Sequence, residues 1–211
     1  MIKQQNNSNS ESYLVTPSLL NAWQYIWLCV ENVKEAESDT ISLEDKISNK
    51  QKEALETFLK TLKREPTETN QYMQAGIDFE EECYEGTTCV SPIIEGGAFQ
   101  IVGRKNIKVD NTNFLMYGRL DVLKGGVIYD IKKVIKYAPG KYVHSYQHDF
   151  YLELFPRAKY FTYLAFDGVN LHTETYYRKE KEPIHAVISN FVNWLKENDL
   201  WQTYIEKWRT K

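Results

Sequence analysis

Two aspartates nine positions apart, Asp121 and Asp130, with a lysine two beyond the second, Lys132, stand in the stretch "YGRLDVLKGGVIYDIKK" over residues 117–133. Carboxylates brought close together repel, and the pKa of one rises unless a cation sits between them. Hard oxygen ligands of this kind suit Mg2+ or Mn2+, which keep several waters and accept a phosphate oxygen as a further ligand. An ammonium beside the pair would orient the water that such a cation activates, or stabilise charge developing on a phosphate. The chemistry in view is metal-assisted attack on a phosphate ester. The competing reading puts both aspartates in ordinary strand-end turns and Lys132 in solvent.

These residues need a hairpin to bring them together, and the sequence predicts one. From residue 98 the apolar period changes from about 3.6 to 2. "AFQIVGRKNIKV", "NFLMYGRLDVL" and "GGVIYDIKKV" read as a meander of three strands broken at Asp110-Asn111 and at Gly125-Gly126. Strand alternation puts Asp130 and Lys132 on one face, and the Gly125-Gly126 turn brings Asp121 close to pairing register with Asp130.

Before the meander, helices are expected over "TPSLLNAWQYIWLCV", "SLEDKISNKQKEALETFLKTLKRE" and "TETNQYMQAGIDFEEECYEG", the last ending at Gly86, with residues 34–42 the most linker-like. The third carries Glu80, Glu81 and Glu82 in a row, of which at least one can face inward as an additional metal ligand. Such a run is also an ordinary solvated face. After the meander, "YVHSYQHDFYLELF" returns to helical spacing, with Gln147 and Tyr151 four apart on one face. "AKYFTYLAFDG" and "NLHTETYYRK" read as two more strands, and "EPIHAVISNFVNWLKEND" as a closing helix. The fold class is α/β (or α+β), a central mixed sheet flanked by helices. Residues 1–12 are expected to be a disordered tail, and 13–211 one domain, mainly helical over 13–97 and sheet core with closing helices over 98–211.

An apolar fraction of 42% and an aromatic fraction of 14% are those of a folded chain. No apolar run approaches the ~20 residues needed to cross a bilayer, and the N-terminus lacks a signal-peptide core, so an intracellular, cytoplasmic protein without a membrane partner is expected. Cys29, Cys83 and Cys89 are odd in number and irregular in spacing. They read as free thiols, one ligand short of a four-cysteine zinc or iron–sulfur site. The net charge of −3 hides an uneven distribution. Residues 1–100 carry 8 Lys/Arg against 17 Asp/Glu, whereas residues 101–160 carry 11 against 5. The basic surplus coincides with the Asp121–Lys132 stretch, as phosphate handling would need.

Taken in order, Gly76-xxx-Glu80, Gly118-xx-Asp121, Asp130-Ile-Lys132 and Gln147-xxx-Tyr151 resemble the motif series of the RecB-like, phage-type exonuclease branch of the PD-(D/E)XK nuclease superfamily. "TPSLLNAW", with Cys29 beyond it, is similar to that branch's N-terminal "SxSxLxxFxxC" element, so the resemblance runs from about residue 13 to residue 178. It implies a restriction-endonuclease-like core. Asp121 and Asp130 would be the metal-binding carboxylates, Ile131 would offer its backbone carbonyl to the Mg2+ or Mn2+, and Lys132 would be the catalytic lysine. Gln147 and Tyr151 would position the DNA backbone, and Glu80, or equally Glu81, would add a metal ligand. Some members hold an iron–sulfur cluster on four cysteines, which this chain cannot supply, so no cluster is expected.

The leading expectation is a metal-dependent deoxyribonuclease, a stand-alone exonuclease of phage or mobile-element recombination, with DNA and a single-strand annealing protein as partners. The alternative is a catalytically silent nucleic-acid-binding or inhibitory protein on the same fold. An interaction domain whose aromatic-rich helices form an interface is the third reading.

Overall fold

In the computed structural model, which describes residues 11–34, 43–66, 68–178 and 183–210, both turns of the central meander pass through left-handed backbone. Asp110 and Asn111 have φ of 46° and 64°, and Gly125 and Gly126 have φ of 60° and 84°. Two consecutive positive φ values are what a two-residue hairpin needs to match strand twist. The elements in chain order begin with β1 (Ser12–Val15), α1 (Pro17–Lys34), α2 (Leu43–Lys63), α3 (Gln71–Glu85) and α4 (Ser91–Ile94). The meander is β2 (Ala98–Val109), β3 (Thr112–Lys124) and β4 (Val127–Lys133). There follow α5 (Tyr146–Leu154), β5 (Tyr160–Phe166), β6 (Leu171–Tyr177), α6 (Ile184–Glu197) and α7 (Trp201–Trp208). The expected linker falls mostly on residues 35–42, outside the described residues, as does the side chain of Cys29.

The fold is mixed α/β: one sheet in the order β1-β3-β4-β5-β6, with β2 on the other edge of β3 and helices against both faces. The β2–β3, β3–β4 and β5–β6 pairs are antiparallel, and β4–β5 is parallel, joined across α5 as a parallel pair requires. One expectation is corrected at the N-terminus. Ser12 is not tail but the first residue of β1, which pairs parallel with β3 from Ser12↔Asn113 to Val15↔Met116. A four-residue strand beside a polar segment carries too little period-2 signal to be read locally; its partner lies a hundred residues away. The Ser12 carbonyl accepts from Thr210 N at 2.8 Å, so the C-terminus covers the outer edge of β1.

Two cores flank the sheet. The larger packs α1, α2, α5, α6 and α7 against it through Leu19, Leu20, Phe58, Phe150, Phe161, Phe191 and Tyr204. Each fully buried Leu or Phe contributes about 1.5–3 kcal/mol by leaving water. The smaller sits under α3 and α4 and contains Phe79, Cys83, Val90, Ile94, Val122, Ile131 and Leu164. α3 begins at Asn70, whose side chain accepts from Tyr72 N and Met73 N, and ends at Gly86 with φ 89°. No helix among the described residues is long and apolar enough to cross a membrane.

β3 is where the sheet opens. Along one edge it pairs with β2 almost throughout, but along the other it meets β1 at residues 113–116 and β4 only at Val122, Leu123 and Lys124. Between these, residues 117–121 pair with no strand on that edge; Gly118 lies against α5, and the Tyr151 hydroxyl donates to the Arg119 carbonyl at 2.7 Å. The Tyr151 ring lies where a Gly118 side chain would stand: a Cβ there would meet Tyr151 Cε1 at 2.7 Å. Gly118→Ala is therefore expected to push α5 off β3 and destabilise the protein by about 1–3 kcal/mol, read as a lowered urea midpoint at unchanged m.

Candidate active site

The β3–β4 pairing ends at Val122↔Tyr129, and the next rung would set Asp121 opposite Asp130. Instead the strands part. The Ile131 N–H, which a continued ladder would engage, donates to Asp121 Oδ2 at 2.8 Å. The split holds both carboxylates at its apex. Asp130 is 3% exposed; its Oδ1 accepts from Gln147 Nε2 on α5, and its Oδ2 stands 2.6 Å from Lys132 Nζ. That Oδ2 is buried and in no well-angled hydrogen bond, so the ion pair is its one polar partner.

The opposite edge of β3 is also irregular at this rung. Gln100 faces Asp121 across β2–β3 with φ 53°, an uncommon conformation for a strand residue other than glycine. Face alternation slips there. Leu120 and Ile101 pack with the larger core, while Val122 belongs to the smaller one and Phe99 lies against Tyr84 of α3. The slip turns the Gln100 side chain to α3, where its amide donates to Glu80 Oε1 and, at 2.8 Å, to the Tyr84 hydroxyl; that hydroxyl also donates to Glu80 Oε1 at 2.5 Å.

Of the three successive glutamates, Glu80 is the half-buried one whose charge acts on Asp121 and Asp130, whereas Glu81 and Glu82 are exposed. Helical spacing decides this, because Glu80 and Tyr84 share a face adjoining the buried Phe79 and Cys83. Gly76 has open space where a side chain would stand, so no close approach explains its place in the series.

The electrostatics follow from burial and from an unequal charge count. Asp121 is pushed up to about 8, first by burial and then by the Asp130 charge and Glu80, against the pull of Lys132 and the Ile131 N–H. Burial raises Asp130 too, with Lys132 and Gln147 drawing it back. For Lys132 burial acts downward, but Asp130 and Asp121 together outweigh it and hold the ammonium above its ordinary value. One ammonium thus faces more carboxylates than it can neutralise.

The Mg2+ or Mn2+ implied by the resemblance is tested by this donor set. Asp130 offers a buried oxygen whose partner is the Lys132 ammonium, and the crowding that raises Asp121 is one that a bound cation would relieve. No group of three or more His, Cys, Asp or Glu side chains is gathered to hold a metal among the described residues. A cation taken up here would be held by Asp121 and Asp130 with water and, as the resemblance implies, the Ile131 carbonyl.

Asp121, Asp130, Lys132, Gln147, Ile131 and Glu80 are therefore brought together, while Tyr151 stands behind them. It is 5% exposed, and its hydroxyl is engaged by Arg119. Sequence reasoning missed Gln100 and Tyr84, which hold Glu80. A glutamine within an apparently regular strand signals nothing until the slip at its rung is seen. The basic surplus is partly engaged within the fold: Lys105 with Glu153, Lys124 with the Ile93 carbonyl, and Lys133 over the rings of Phe79 and Phe166. Of the thiols, Cys83 is buried and Cys89 exposed, both free.

No protein-family model matches the chain, and no curated protein does. Among solved structures it is similar to the crystal structure of SSO0001, with a TM-score of 0.52 at 12% identity over 89% of this chain and 79% of that one. At that identity the likeness concerns the fold, the mixed sheet flanked by helices.

Proposed function

We propose that the protein is a metal-dependent deoxyribonuclease of the PD-(D/E)XK type, its RecB-like branch, acting as an exonuclease in phage or mobile-element recombination. The observation that carries this reading is the meeting of Asp121, Asp130, Lys132 and Gln147, with Glu80, in the split between β3 and β4. A bound Mg2+ or Mn2+ would supply Lewis-acid activation of water and of the phosphate. In this scheme Asp121 and Asp130 hold the cation, and the Ile131 amide aims the Asp121 carboxylate. Gln147 fixes Asp130 from α5. Lys132, kept protonated by Asp130 and Asp121, would turn from Asp130 to the scissile phosphate, where its charge would stabilise the transition state more than the ground state.

End-labelled linear and circular DNA incubated with Mg2+, Mn2+ or EDTA tests the reading. Degradation of linear DNA from its ends, abolished by EDTA, is expected; intact DNA under every condition overturns it. The alternative, a catalytically silent nucleic-acid-binding protein, is favoured by the Lys132–Asp130 ion pair, which closes the site without any metal. Metal binding has its own readout. Mn2+ at about a hundred times its dissociation constant adds about 2.7 kcal/mol, which for a chain of this size raises Tm by roughly 5–10 °C. Asp121→Asn is expected to lose most of that rise, whereas equal shifts would place the metal elsewhere.

A further inference from the structure

Between β4 and α5 the segment 134–145 runs beside the site, and its Tyr142 carries a hydroxyl that is buried without a hydrogen-bond partner in the protein. A hydroxyl left so is costly, by more than most single contacts contribute, and asks for an explanation. The ring is not loosely placed. It stacks on Tyr163 with centroids 4.1 Å apart and planes 16° from parallel, and Tyr163 itself is fully buried. The backbone is clamped as well: Glu174 of β6 accepts from Lys141 N at 3.2 Å and from Tyr142 N at 3.4 Å. The phenol is thus held from the ring and from the chain, so its oxygen cannot swing away to find a partner.

Tyr163, on which the ring stacks, pairs with Asp130 across β4–β5, so the phenol is placed on the Asp130 rung of the sheet. The charges of Lys132 and Asp130 both act on it, the ammonium favouring the phenolate and the carboxylate opposing it. Burial dominates and pushes the Tyr142 phenol up to about 12, so it stays a proton donor. A rigid O–H donor, unpaired and on the rung of the Asp130–Lys132 pair, is suited to an anionic oxygen.

We infer that Tyr142 is a phosphate-contacting residue of the proposed nuclease site, donating its hydroxyl hydrogen to a non-bridging oxygen of the scissile phosphate beside Lys132. This rests on the nuclease reading for its substrate and extends the site to a segment that carries none of the resembling motifs.

The test is Tyr142→Phe, which keeps the stack on Tyr163 and removes only the oxygen. In single-turnover cleavage of a labelled oligonucleotide with saturating Mn2+, the rate is expected to fall about 10- to 100-fold, the range for one hydrogen bond to a charged group. Oligonucleotide affinity in Ca2+ is expected to fall by a smaller factor. Thermal melting in EDTA separates this role from a structural one. With its partner belonging to the substrate, Tyr142→Phe is expected to melt at or above the wild-type temperature, because an unpaired buried group has been deleted. A lowered melting temperature, or cleavage at the wild-type rate, overturns the inference while leaving the nuclease reading intact. A wild type that cuts nothing sinks the nuclease reading instead, and the binding arm then judges Tyr142: equal affinities of the two proteins overturn it.

Discussion

Asp130→Ala is expected to abolish the proposed cleavage, with a rate at least about 10³-fold below wild type in Mn2+, and to leave a folded protein. Its carboxylate is the point on which the site converges, meeting Lys132 at one oxygen and Gln147 at the other, so without it the cation loses a ligand and the lysine its anchor. Loss of one such ligand costs several kcal/mol of transition-state stabilisation. Some stability is expected to be lost, since Lys132 and Gln147 lose their partner, but the Lys132 side chain is 35% exposed and keeps Asp121 near it, so its charge is not left buried and uncompensated. Asp130→Asn, which keeps the volume and a partner for Gln147, guards against a trivial collapse: it should melt within a few degrees of wild type in EDTA and still fail to cut. Near-normal nuclease activity in either variant removes the proposed site.

Lys132→Ala is expected to lower single-turnover cleavage by about 10²-fold or more while oligonucleotide affinity in Ca2+ changes only a few-fold. The ammonium stands on the Asp130 carboxylate, the proposed metal ligand, and is kept charged by Asp130 and Asp121, so in this reading its contribution belongs to the chemical step. Lys132→Arg should not restore the rate, since a planar guanidinium does not reproduce a compact point charge in a space shaped by Asp130. Lys136 provides the contrast. Replacing it should weaken binding across all sequences and reduce the salt slope by about one unit, the signature of a lost phosphate contact. A Lys132→Ala protein whose affinity falls in proportion to its rate would falsify the catalytic assignment and favour the binding-protein alternative.

What the sequence determined by itself is local in origin. Paired turn residues at 110–111 and 125–126, strand alternation between them and the 3.6 period on either side predict the meander and its helices, and with them the approach of Asp121 to Asp130. Each of these depends on side chains within a few residues of one another, so no distant partner is needed to read them. β1 was illegible because its partner is β3, and α7 is parted from α6 by residues 198–200 alone, with Asp199 left-handed at φ 58°.

The site shows the same division. That Asp130 and Lys132 share a face follows from the pleat, whereas the opening of the strands after Val122↔Tyr129, which turns an ordinary rung into a site, is decided by what packs there. The Tyr151 ring fills the space over Gly118, Gln147 reaches Asp130 from α5, and Gln100 in left-handed backbone turns to hold Glu80 from the opposite face. Tertiary structure alone buried Glu80 rather than Glu81, engaged the Tyr151 hydroxyl with the Arg119 carbonyl, and stacked Tyr142 on Tyr163, the β5 partner of Asp130. Local sequence can place a side chain on a face, but burial and charge at a point where two helices and two strands meet are sums over residues far apart in the chain, and only the packed molecule adds them.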